Sequence, residues 1–242
     1  MARNEQRRQK KLALKKSKRN EERRTIARAE SSGIAGGMAL ASRWPVVQAR
    51  VSATLWTQGI GYAVLVRRGP GGLTAMGLFL LDVYCLGVKD VVARVAPDYA
   101  ISASLARMSD NGCRWIDVSP EHVRKLVEGT MGYALSLGLA PHRDCAAALS
   151  IFGDLESSKC ATEFTFGFEG QPHFIAGPYD RQARIVEVIN TLRRTCGPDG
   201  FHYTVPIESP DLPDELVEVL DGTEQRIIDL EESEFKVIDS QP

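Results

Sequence analysis

Residues 73–92 read LTAMGLFLLDVYCLGVKDVV. The stretch begins apolar on both sides of an extended chain, with Met76, Leu78 and Leu80 on one side and Phe79, Leu81 and Val83 on the other. A run of this length between Gly71-Gly72 and Gly87 is expected to be a strand buried within a core, because both of its faces must leave water. Its far end then presents Asp82, Tyr84, Cys85, Lys89 and Asp90 in quick succession. A buried strand that delivers carboxylates and a thiol to its own end is a place where sites are built.

On the N-terminal side, Val46 to Trp56 alternates: Val47, Ala49, Val51, Ala53 and Leu55 share one face, with Gln48, Arg50, Ser52 and Thr54 between them. That period predicts a half-buried strand. Tyr62–Arg68 predicts a second, and Gly69-Pro70-Gly71-Gly72 a turn into the central one. Short connections between three strands imply an antiparallel meander.

On the C-terminal side the pattern is read as changing to helix over Lys89–Val95, with another helix from Pro97-Asp98 toward Met108. A turn at Asn111-Gly112 and a short strand around Trp115 follow. Ser119-Pro120-Glu121 then opens the strongest helix in the chain: Ser caps, Pro suits the first position, and Glu meets the positive end of the dipole. Val123, Leu126, Val127, Thr130, Ala134 and Leu135 keep helical spacing up to Gly138. Gly129 and Gly132 cost helix stability, which suggests close approach to a neighbour such as the sheet.

Asp144 leads into a short helix ended by Gly153. Glu163–Phe168 and Gln171–Ile175 read as a hairpin around Glu169-Gly170, with Phe164, Phe166 and Phe168 on one face. Such an aromatic stripe more often belongs to a core than to a ligand platform. A long amphipathic helix runs from Gly177-Pro178-Tyr179-Asp180 through Leu192 to Gly197, and Phe201–Ile207 is the last strand.

The fold class expected is therefore α+β. One domain at 44–207 holds a mainly antiparallel sheet with helices on one side, flanked by a basic arm and linker (1–43) and an acidic tail (208–242), both expected to be disordered.

The formal net charge of −1 conceals an asymmetry. Residues 1–30 hold twelve Lys and Arg against four Asp and Glu, whereas residues 208–242 hold two against twelve. Opposite extensions on a nearly neutral body are expected to choose partners by charge. Five scattered cysteines without a CxxC argue for reduced thiols and a cytoplasmic setting. No stretch reaches the roughly 20 apolar residues that a membrane span requires, so no membrane partner is expected.

Candidate chemistry centres on Asp82, Asp90, His142 and Asp144. Carboxylates at a strand end, with a His-x-Asp at a helix start, could hold a divalent cation for phosphodiester hydrolysis, as a metal-dependent nuclease or phosphoesterase would. The plainer reading is that Asp82 satisfies backbone donors while Asp90 and Asp144 sit at helix starts. Cys85 beside His142 or His173 could form a thiolate nucleophile, against the tendency of cysteine to be a small buried apolar group. His142-x-x-Cys145 with Cys160 is a weak zinc pattern, since only one close pair is present. Gly177-Pro178 opening a helix could bind an anion, as helix starts in general do. No phosphate-binding glycine loop or hydrolase motif occurs, and no cofactor or structural metal is expected.

The combination of Tyr84-Cys85-Leu86-Gly87-Val88-Lys89-Asp90, Pro141-His142-x-Asp144 and Gly177-Pro178-Tyr179-Asp180 resembles a set of uncharacterised bacterial proteins. Their globular part corresponds to residues 44–205 here, behind varied basic N-terminal ends. The resemblance implies one compact domain and carries no catalytic assignment onto any residue.

The charge layout points to a non-enzymatic cytoplasmic protein associated with RNA or the ribosome. Its contact would be the basic arm, through Arg7, Arg8, Lys10, Lys11, Lys15, Lys16, Lys18 and Arg19. An interaction module whose acidic tail engages a basic protein partner is the further alternative.

Overall fold

The computed structural model describes residues 33–205 and, ahead of them, residues 7, 8, 10–12, 14–17 and 20. Its contacts fall into two compact units, 1–170 and 171–242, and the division lies inside the stretch read as one domain.

The first unit is built on a five-stranded sheet. Strands β1 (Val46–Ser52), β2 (Ile60–Arg68), β3 (Leu73–Asp82), β4 (Gly87–Pro97) and β5 (Trp115–Asp117) lie in the order β4-β3-β2-β1-β5, and every neighbouring pair is antiparallel. The meander forms as its short turns require, and β3 is buried along nearly its whole length.

Two features of the strands depart from expectation. Lys89–Val95 is strand, not helix: Val88, Val91 and Ala93 are buried and alternate with the exposed Asp90, Val92 and Arg94. Leu80 pairs with Asp90 but Leu81 with Val88, so Lys89 is the extra residue of a bulge, and that insertion breaks the two-residue period at the point where it would be read. In β1 a register shift between Val46 and Gln48 turns Val47 outward to 44 % exposure. The strand stops at Ser52, and Leu55–Gln58 forms a short helix, α2, closed by Gly59 at φ 71°.

Helices cover both faces of the sheet, not one. On one side lie α1 (Gly33–Ala41), α4 (Pro120–Ser136) and α5 (Cys145–Ala148), the last continued by a 3-10 turn at Leu149–Phe152. Met38, Leu55, Leu65, Phe79, Leu81, Val123, Leu126 and Phe152 form the core there, and Phe79 stacks on Phe152 with ring centroids 5.6 Å apart. On the other side α3 (Asp98–Asp110) places Ile101 and Leu105 on Val64, Val66, Met76 and Leu78. The two-sided apolar pattern of β3 thus has a partner for each face.

Helix α1 occupies a segment read as linker. Its glycines favour coil, but Met38 and Ala41 are fully buried, and the helix packs against the outer strand β4. Tertiary burial outweighs the local propensity. A cleft of about 230 Å³ runs between the two, lined by Gly33, Ile34, Gly37 and Met38 on one side and Ala93–Val95 on the other.

Helix α4 follows its sequence signals. Ser119 accepts from the His122 N–H at 3.1 Å, Pro120 opens the helix, and Val123, Leu126, Val127, Thr130 and Ala134 are buried. It ends where the N–H groups of Gly138 and Leu139 return to the carbonyls of Leu135 and Ala134, with Gly138 at φ 78°. The close approach to the sheet is made by Gly87, not by Gly129 or Gly132. A Cβ at Gly87 would lie 2.6 Å from that of Ala134. Gly129 makes room for the Phe166 ring, and Gly132 has nothing within 4 Å of an added Cβ.

In the second unit β6 (His173–Ile175) and β7 (His202–Thr204) pair in parallel, joined through α6 (Gln182–Cys196). Phe174, Ile185, Val188, Ile189, Leu192 and Phe201 are its buried apolar side chains. The expected turn at Glu169-Gly170 forms with both residues at positive φ, 52° and 85°. Residues 161–167 make no strand, and Phe168 and Gln171 are single bridge residues beside the turn, so the expected hairpin is reduced to its turn end. The final residues of the last expected strand, 206 and 207, and the acidic tail lie outside the described residues.

Candidate functional site

Asp82 ends β3, and its carboxylate closes the turn into β4. Oδ1 accepts from the N–H groups of Tyr84 at 3.0 Å and Cys85 at 2.8 Å. The side chain is 6 % exposed. Burial pushes its pKa up to about 6, against the opposing pull of the backbone donors of Cys85, Leu86 and Tyr84 and the charge of Lys89. This is the structural role open to a strand-end carboxylate.

His142 stands elsewhere. Its N–H donates to the Val88 carbonyl at 3.2 Å, which clips residues 140–144 to the outer edge of β4. The imidazole then lies between two carboxylates, Nε2 at 3.8 Å from Asp90 Oδ1 and Nδ1 at 4.0 Å from Asp144 Oδ2. The Asp144 N–H points at Nδ1 from 3.3 Å, so that nitrogen accepts and the Nε2–H tautomer faces Asp90. Asp90 spends Oδ1 on the N–H of Val91 at 2.7 Å. Asp90 lies on a strand, so the helix-start reading fails there, whereas Asp144 stands at the N-cap of α5 as read, without a side-chain cap hydrogen bond.

Three of the four expected catalytic residues therefore meet at the surface, while Asp82 is turned into its own turn. Among the described residues no group of three or more His, Cys, Asp or Glu is placed to hold a metal ion. The fold does not assemble the four-residue nuclease site.

The thiols singled out in the sequence, Cys85, Cys145 and Cys160, lie inside the fold. None of the five cysteines is in a disulfide. Burial pushes the Cys145 thiol up, away from thiolate, and its sulfur faces that of Met131 at 3.9 Å. A zinc ligand set of His142, Cys145 and Cys160 is not formed. At Gly177 the N–H donates to Asp180 Oδ2 at 2.7 Å, closing a tight turn, and α6 begins only at Gln182. The anion site proposed for that helix start is thus filled by the chain's own carboxylate.

What the sequence did not reveal is an aromatic row at one end of the sheet. The Trp56 indole, on α2, stacks on Phe164 with centroids 5.8 Å apart and planes at 16°. Phe166 stacks on Tyr133 of α4 at 5.5 Å and 20°, and His122 meets Phe164 edge-on at 4.9 Å. Tyr84 meets Phe168 edge-on at 5.4 Å. Lys125 holds the irregular segment in place, donating to the Cys160 carbonyl at 3.2 Å and pairing with Glu163 at 2.5 Å. The Phe-x-Phe-x-Phe pattern was visible, but its partners Trp56, His122 and Tyr133 are separated from it by loops that carry no periodic signal.

In the basic arm, Arg7, Arg8, Lys10, Lys11, Lys15 and Lys16 are helical and exposed. Lys18 and Arg19 lie outside the described residues. Among the described residues no helix is long and apolar enough to cross a membrane. The chain matches no family model, no curated protein and no solved structure.

Proposed function

We propose that the protein acts in the cytoplasm by binding nucleic acid, RNA free or in the ribosome, with the basic N-terminal stretch as the contact. One observation carries this reading: six Lys and Arg side chains between residues 7 and 16 project from helical backbone into solvent. Cations arrayed in this way displace the counterions condensed on a polyanion, which gives affinity that is blind to sequence and steep in salt. Binding rather than catalysis is favoured because Asp82 is committed to its turn while the surface His142 is occupied with two carboxylates.

The test is retention of the full chain on immobilised RNA across a salt gradient, beside a protein lacking residues 1–30. Retention that falls steeply with salt and disappears on truncation supports the reading. Equal retention of the truncated protein overturns it.

A further inference from the structure

The arm explains attraction to phosphate but gives no reason to prefer one form of nucleic acid. The aromatic row does. Resting on the nucleic-acid reading above, we propose that Trp56, backed by Phe164 and linked to Phe168 through Tyr84, is a stacking platform for the unpaired bases of a single strand.

Three observations lead there. Trp56 is held before any ligand arrives: its indole lies on Phe164, and its carbonyl accepts from the Tyr84 hydroxyl at 2.8 Å. Gly59, at φ 71°, lets the Tyr84 ring lie where a Cβ would otherwise stand. A ring fixed in this way loses little freedom when a base settles on it.

The second observation is exposure. In a row whose other members are largely covered, Trp56 and Phe168 each remain 40 % exposed. An exposed ring face beside a buried row leaves apolar surface open for a planar ligand to cover.

The third is area, which decides between occupants. Trp56 and Phe168, each 40 % exposed, offer on the order of 200 Å² between them. A stable protein interface needs roughly 800 Å² from each partner. A base needs only one ring face, and stacking of this kind accepts any base. A duplex keeps its bases inside and cannot use the platform.

The experiment measures binding of a labelled ten-nucleotide oligouridine and of a ten-base-pair RNA duplex to the full chain at one salt concentration. Trp56→Ala is expected to weaken the oligouridine about 10-fold, with duplex binding changed by less than about 2-fold. Trp56→Phe is expected to restore most of the loss. Phe168→Ser, which leaves the Trp56–Phe164 stack intact, is expected to weaken only the single strand and supplies the result if Trp56→Ala loosens the fold. An unchanged affinity for the oligouridine, or equal losses with both probes, overturns the platform while leaving the arm in place. A parent protein that binds neither probe overturns both.

Discussion

Arg67 reaches from β2 to the 3-10 turn after α5, where its Nη2 donates to the Phe152 carbonyl at 2.8 Å. The same guanidinium donates through Nε to Ile151 at 2.7 Å and through Nη1 to Trp44 at 2.5 Å. It is 4 % exposed, and burial draws its pKa below the ordinary arginine value. These three bonds go to carbonyl oxygens, so the planar fork ties three separate chain segments together. Arg67→Met would leave those carbonyls without their donor and is expected to cost about 3 kcal/mol, read as a lowered urea midpoint at constant slope. Arg67→Lys should rescue little, because an ammonium cannot span the fork.

Asp82 makes stability depend on pH in an unusual direction. Its carboxyl titrates at about 6 in the fold against 3.8 in a free side chain. The folded state therefore holds the proton more tightly, and this group favours folding increasingly as pH falls from about 6 toward 4. Asp82→Asn keeps an acceptor for the turn and removes the ionisation. The difference between parent and Asn variant in unfolding free energy should change across that window, by up to about 3 kcal/mol, with the variant the more favoured at pH 7. Asp82→Ala removes the same ionisation, so its cost should follow the same window: greatest near pH 4, where the N–H groups of Tyr84 and Cys85 lose an acceptor worth about 2 kcal/mol, and smaller at pH 7.

Two glycines, one packed against α4 and one on its open side, should respond in opposite senses. Gly87 has φ 73°, and a Cβ there meets Ala134, so Gly87→Ala is expected to lower stability by about 2 kcal/mol. Gly132 is helical with open space around it, and Gly132→Ala should raise stability by about 1 kcal/mol. Thermal unfolding of the two variants separates the expectations by sign.

Changing Arg7, Lys11 and Lys15 to Gln removes three exposed cations from the arm. The slope of log affinity for a single strand against log salt should become shallower by roughly 2. Trp56→Ala should leave that slope unchanged, because stacking releases no counterion.

Legibility followed the range of the interactions. Strand β3 could be read because burial on two faces leaves an unbroken apolar run, and α4 because Ser119, Pro120 and Gly138 act within one turn of the helix ends they mark. Gly33–Ala41 could not, since two adjacent glycines argue for coil and only the burial of Met38 beneath the sheet argues otherwise. Lys89–Val95 was lost to a one-residue bulge. At the candidate site, the plain reading of Asp82 as a partner for backbone donors was legible from its place at a strand end. The meeting of His142 with Asp90 depends on one hydrogen bond to the β4 edge, and the Trp56–Phe164 stack joins segments more than a hundred residues apart. No local pattern announces either.

The outermost long strand has a consequence for how the molecule lives in a crowd. An eleven-residue margin of backbone donors and acceptors is a template on which any passing extended peptide can zip, and such zipping propagates into fibres. Here the margin is guarded: the His142 segment occupies Val88, and the bulge at Lys89 spoils the spacing. A change that released the His142 segment would uncover the guarded rail, and self-association would be the first symptom.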